Sequence, residues 1–212
     1  MKKSFVVLAL AAAVWLPLAS TAKPVLSITP ATQVAAVGDT VLVDVYVTGL
    51  KAIGEIVSAF DLNVLFAPTL LNGAGAGFYA VPFGGNASID TSTSFGAGNS
   101  GAILNSFLAD NGLALLQTND PFKLLTLTFM ALANGAAFLN FGPDSDFERA
   151  LIGRNAQLLD LDYVGACVAI GANADCRQTV PEPASYALVL VALLAGIKAA
   201  RRAKPAAPAV VF

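Results

Sequence analysis

Val41-Leu42-Val43-Asp44-Val45-Tyr46-Val47-Thr48 decides the fold class. Four valines recur at every second position, alternating with Leu42, Asp44, Tyr46 and Thr48. Successive side chains of a strand point to opposite faces, so this period of two places the valines in a core and the alternate residues toward solvent. The same alternation returns at Phe60, Leu62, Val64 and Phe66 against Asp61, Asn63 and Leu65. It returns again at Leu125, Leu127, Phe129 and Ala131 against Thr126, Thr128 and Met130. Val25 to Ile28, Ala137 to Phe141 and Tyr163 to Ile170 are further predicted strands. Gly38-Asp39, Asn111-Gly112, Asn119-Asp120-Pro121 and Asn134-Gly135 provide turn chemistry between or beside them. Between Lys23 and Val180 no stretch has the spacing of an amphipathic helix. Several strands separated by turns predict an all-β sandwich or barrel.

Residues Gly73 to Gly101 interrupt the pattern with Gly, Ala, Ser and Asn. The first reading is a long decorated loop with weak edge strands. The second is a contact surface bearing Phe78, Tyr79, Phe83 and Phe95, since loops on a rigid sandwich often carry binding.

Both ends of the chain read as processing segments. Lys2 and Lys3, an apolar run from Phe5 to Leu16 and the small residues Ser20-Thr21-Ala22 make a signal peptide over 1–22, cleaved between Ala22 and Lys23. A buried helix or a retained anchor is the alternative. The run is shorter than the ~20 residues a spanning helix needs. At the other end, Val180-Pro181-Glu182-Pro183 precedes an apolar stretch from Ala184 to Ile197, closed by Lys198, Arg201 and Arg202. Prolines hold the tripeptide extended. The stretch that follows reads as a single transmembrane helix, and the basic residues as its cytoplasmic stop.

Charge and composition exclude several functions. Of 212 residues, 56% are hydrophobic and 12% charged, which suits one folded domain with processing segments. Between Lys23 and Val180 six basic residues stand against thirteen acids, a net 6 − 13 = −7. Such a body offers no footprint for nucleic acid. With no histidine, Ser-His-Asp and Cys-His catalysis is absent. Lys51 and Lys123 sit in no serine–lysine motif, and no glycine-rich loop is followed by Lys-Ser/Thr and a helix. The sequence is read as non-enzymatic.

Three smaller features remain open. Cys167 and Cys176 would most simply form a disulfide in an oxidising compartment, with free thiols or a partial metal site as alternatives. Asp144, Asp146 and Glu148 alternate in a loop and could converge on calcium as a cofactor; a solvated acidic turn beside Arg149 is the simpler reading. Asp160 and Asp162 read as the exposed face of a strand.

The C-terminal order of Pro181-Glu182-Pro183, apolar helix and basic cluster resembles the PEP-CTERM sorting domain over residues 180–204, with 205–212 as a tail. That resemblance implies an exosortase-type processing enzyme as partner, with Pro181, Glu182 and Pro183 as its recognition element. It also implies transient residence in the inner membrane and a final place at the cell surface or in an exopolysaccharide-rich matrix. Residues 23–179 resemble the cohesin-like domain in the order of three motifs. These are Val37-Gly38-Asp39-Thr40-Val41, Phe60 to Leu71 with its proline before leucine, and Leu125-Thr126-Leu127-Thr128-Phe129 running through Gly135 to Phe141. Ala67, where an acid commonly stands, and the Gly-rich insertion depart from the pattern. The resemblance implies a jelly-roll β-sandwich that binds a protein partner. A carbohydrate-binding module holding extracellular polysaccharide is the alternative. Loss of Trp15 with the signal peptide leaves Tyr46, Tyr79 and Tyr163 as its polar-tipped aromatic rings.

Overall fold

Twelve strands follow one another along the described chain: β1 (Val25–Thr29), β2 (Thr32–Ala35), β3 (Thr40–Thr48), β4 (Ala59–Leu65), β5 (Leu71–Phe78), β6 (Ile89–Gly96), β7 (Asn99–Ser106), β8 (Phe122–Ala131), β9 (Gly135–Phe141), β10 (Ala150–Ile152), β11 (Asp162–Val164) and β12 (Ala166–Ile170). Two short helices join them, α1 (Leu50–Ile53) and α2 (Asp110–Leu116). The structure is a computed structural model and describes residues 23–142 and 150–177. The signal segment with Ala22, the sorting motif Pro181-Glu182-Pro183, the stop residues Lys198, Arg201 and Arg202, and the acidic cluster Asp144, Asp146 and Glu148 lie outside the described residues. Among the described residues no helix is long and apolar enough to cross a membrane.

The strands form two sheets. One has five strands in the order β11-β1-β3-β8-β5; the other has seven, ordered β2-β12-β9-β4-β7-β6 with β10 also paired to β4. Their inner faces meet in one apolar core, as the alternation requires. Val41, Val43, Val45 and Val47 of β3 pack there with Leu125, Leu127 and Phe129 of β8, opposite Phe60, Leu62 and Val64 of β4. Aromatic rings fill one end: Phe60 contacts both Phe78 and Phe83 at 6.1 Å, and Phe83 contacts Phe122 at 6.4 Å. Phe66 meets Phe129 edge-on at 5.1 Å toward the other end.

The stretch from Gly73 to Gly101 is mostly strand: the expected edge strands are there, but the loop between them is confined to residues 79–88. Leu71-Asn72-Gly73-Ala74-Gly75-Ala76-Gly77-Phe78 pairs along β8 as the edge of the five-stranded sheet, and β6 and β7 form a hairpin at the edge of the other. Glycine has low strand preference on its own. Here it is tolerated because the two edges approach closely. A Cβ on Gly73 would lie 2.7 Å from the Ser100 Oγ and 3.1 Å from a Phe95 ring carbon.

Tyr163 to Ile170 is two strands rather than one. β11 pairs with β1 and β12 with β2 and β9, in opposite sheets. The crossing falls at Gly165, where a Cβ would run into the Leu139 carbonyl oxygen. The helices, too, depart from the helix-free expectation. They are too short to show a periodic stripe, and both lie at the same end of the sandwich. Cys167 and Cys176 are disulfide-bonded with Cα atoms 5.7 Å apart, fastening the segment after β12 to its strand.

Candidate interaction surfaces

Three surfaces face outward: the outer face of each sheet and the loop-bearing end. On the five-stranded sheet, register places Asp44, Thr126 and Gly77 in one row across β3, β8 and β5. Tyr46 and Lys123 occupy the next row. A bulge in β8 at Leu124 leaves Lys123 opposite Tyr46 while Leu124 and Leu125 are both buried. The Tyr79 N–H donates to the Leu124 carbonyl at 2.9 Å, which brings its ring beside Lys123. Lys123 Nζ stands 5.8 Å from the centre of that ring.

The ammonium donates to Asp44 Oδ1 at 3.3 Å and to Thr126 Oγ1 at 3.2 Å, and the Thr126 hydroxyl donates to the same Asp44 oxygen at 2.6 Å. Both ions are about one-third exposed, with side chains 28% and 32% accessible. Paired in this way, Lys123 is a hydrogen-bond donor rather than a base for a nucleophile. Of Tyr46, Tyr79 and Tyr163, the first two flank Lys123 on this face. Tyr163 instead packs against Phe141 at the margin of the core, 5.7 Å between ring centres.

The outer face of the seven-stranded sheet is built differently. Rows run Asp61-Ile103-Ser92 and Asn63-Gly101-Ser94 across β4, β7 and β6; Asn63 is buried, so the second row is open to solvent only at Ser94. A Cβ on Gly101 would strike the Ser94 hydroxyl, so this row lies flat. From Asp90 to Gly96, β6 is exposed throughout, carrying Asp90, Ser92 and Ser94 outward. β6 ends the strand order of its sheet, so its far backbone edge has no strand partner among the described residues. Here the aromatics of the Gly-rich stretch divide: Phe83 is wholly buried and Phe78 stacks in the core, whereas Tyr79 and Phe95 stay 42% and 41% exposed.

The loop-bearing end is stitched by side chains that satisfy backbone groups. Gln117 accepts from the Val57 N–H at 2.7 Å and donates to the carbonyls of Val57 and Pro82 at 2.7 and 3.2 Å. Asp120 accepts from the Gly49 and Lys51 N–H groups, Asp110 from Asn155, and Glu55 from Arg154. Asp120 lies in the predicted turn, yet its carboxylate closes a different loop. The carboxylates at this end therefore act as caps. Among the described residues, no three metal-ligating side chains converge. Asp160 forms an ion pair with Lys23 at 2.6 Å, and Asp162 is exposed on β11. The Asp160 carboxylate, accepting a hydrogen bond from Lys23, raises that ammonium's pKa above its usual value.

No protein-family model matches the sequence, and no curated protein matches it significantly. The fold, by contrast, has many solved counterparts, cohesins among them. The sixth cohesin of scaffoldin B from Acetivibrio cellulolyticus, solved with a Cel5 dockerin, superposes with a TM-score of 0.54 at 15% identity, covering 71% of this chain and 100% of that one. A type II cohesin domain from the cellulosome of Acetivibrio cellulolyticus gives 0.57 at 12% identity, covering 69% and 95%. CaCohA2 from Clostridium acetobutylicum gives 0.52 at 18% identity, covering 73% and 95%. The chain has a cohesin-like β-sandwich fold.

Proposed function

We propose that this is an exported, non-enzymatic protein of the cell surface or extracellular matrix that engages a protein partner through its cohesin-like domain. The observation that carries the reading is the fit of the sandwich to nearly the full length of cohesin chains, several of them solved in complex with dockerins. The outer face of the seven-stranded sheet supports it physically. Its rim at β6 presents the exposed hydroxyls of Ser92 and Ser94 and a backbone edge that can accept further hydrogen bonds.

Export rests on the sequence of the two ends. Residues 1–22 direct secretion. Residues 180–204 hold the precursor in the inner membrane until an exosortase-type enzyme acts near Pro181-Glu182-Pro183.

Two experiments test the two halves separately. The full chain, immobilised and exposed to proteins secreted by its host, is expected to retain one protein at 1:1 stoichiometry. Ser92→Arg, on the exposed face of β6, should release it. Retention that ignores Ser92→Arg, or the lack of any stoichiometric partner, would sink the interaction reading. For sorting, Glu182→Ala should leave the precursor unprocessed in the inner membrane. Normal processing of that variant would count against exosortase handling.

A further inference from the structure

The five-stranded sheet carries a second, independent site. We infer that Asp44, Lys123, Thr126, Tyr46, Tyr79 and Gly77 form a binding site for a neutral polysaccharide chain on the outer face of β3, β8 and β5. The inference does not depend on what the opposite sheet binds.

Hydrogen-bonding capacity at the centre of the patch is only partly used. Asp44 Oδ1 accepts from both Lys123 and Thr126, but among the described residues no donor reaches its second oxygen, Oδ2. Lys123 has three N–H donors, of which two are directed at Asp44 and Thr126. An outward-facing carboxylate oxygen beside an outward-facing ammonium suits a vicinal diol, which donates one hydroxyl proton and accepts at the other oxygen. Charge-assisted bonds of this kind are stronger than neutral ones.

Two rings border that centre. Tyr46 stands across from Lys123 in register, and the Tyr79 ring lies 5.8 Å from Nζ on the other side. A pyranose has one apolar C–H face and a rim of hydroxyls. Aromatic rings beside polar groups match that division, and tyrosine adds a hydroxyl at its tip.

Room for the sugar comes from β5. Gly77 lies beside Thr126, and a Cβ placed on it would meet nothing within 4 Å. At Gly75, one row along, it would meet only Thr128, at 3.9 Å. Packing therefore does not require glycine at either position, unlike Gly73. The two leave a bare ledge of backbone beside the polar pair, onto which a sugar ring can settle.

Neutrality of the ligand follows from the ion pair. With Asp44 at 3.3 Å, the charges of Lys123 and Asp44 balance each other, so the patch has no net positive charge to attract an anionic chain.

Affinity electrophoresis of the full chain tests the site, using gels cast with laminarin, hydroxyethyl cellulose or dextran as neutral glucans and alginate as the anionic comparison. Retardation in at least one neutral glucan is expected. Tyr79→Ala should weaken it about tenfold, the scale of a lost ring contact. Gly77→Val should abolish it by filling the ledge, with no loss of melting temperature, while Ser92→Arg on the opposite sheet should leave it unchanged. Circular dichroism melts of each variant separate loss of binding from loss of fold. The inference is overturned by no retardation in any neutral glucan, by stronger retardation in alginate, or by retardation that survives both Tyr79→Ala and Gly77→Val. Dependence on Ser92 instead of Gly77 would move glycan binding to the other sheet and equally overturn it.

Discussion

Gly73 of β5 and Ser100 of β7 face each other across the core, so close that a Cβ on Gly73 would stand 2.7 Å from the serine oxygen. That oxygen is buried and has no hydrogen-bond partner among the described residues. The contact fixes how near the two sheet edges come. Gly73→Val should therefore destabilise the fold by about 1–3 kcal/mol, the usual cost of overpacking. Gly77→Val, four residues along the same strand, should fall within about 0.5 kcal/mol of the parent. Urea denaturation distinguishes them, and equal effects at the two positions would refute the packing account. Ser100→Gly should relieve most of the loss in the Gly73 variant, a coupling that a double-mutant cycle reads directly.

Gln117 joins three loops through one carboxamide. Replacing it with alanine leaves the Val57 N–H and two carbonyls short of partners in a partly buried setting. A loss of about 1–3 kcal/mol is expected, with little change in the denaturant slope. A variant as stable as the parent would mean that water replaces all three bonds.

The Cys167–Cys176 bond closes a short loop, nine residues apart in sequence. Constraint of the unfolded chain by so small a loop is worth roughly 2.5–3 kcal/mol in the chain-entropy model. Cys176→Ser, paired with Cys167→Ala to avoid a stray thiol, should lower stability by about that amount. Thiol titration of the unfolded, unreduced parent should find no free cysteine.

Lys23 and Asp160 supply a small pH-dependent term. The Lys23 pKa is raised from 10.5 by the Asp160 hydrogen bond, so its contribution is complete below the unfolded value and is lost as pH climbs through the folded one. Both side chains are largely exposed, which makes the pair weak and sensitive to salt. The difference in melting temperature between parent and Lys23→Met should therefore be small, equal at pH 6 and pH 9, and reduced by added salt. A separation that is large at pH 7 and insensitive to salt would contradict this.

How much of this architecture could be read from residues alone follows from where the information resides. β3, β4 and β8 announce themselves because one face is apolar and the other polar, and burial enforces that contrast. β5 is silent because Gly and Ala carry no such contrast; its strand character comes from pairing with β8 and from the need for bare backbone opposite Ser100. β6 is silent for a different reason. An exposed edge strand of Ser and Thr has little burial to pattern it. The continuous apolar run from Tyr163 to Ile170 hides a change of sheet that only the crowding at Gly165 reveals. Tyr46 and Tyr79 are plain in the sequence as aromatic residues, but their placement on either side of Lys123 depends on register and a bulge. Neither is encoded within a local window.

The back-to-back arrangement of the two sheets has a mechanical corollary. Their outer surfaces point in opposite directions with the whole apolar layer between them, so an occupant of one cannot crowd an occupant of the other. A molecule built this way works as a rivet: glycan gripped on one side and protein on the other would be joined through a single rigid slab, with no hinge between the two grips to dissipate strain.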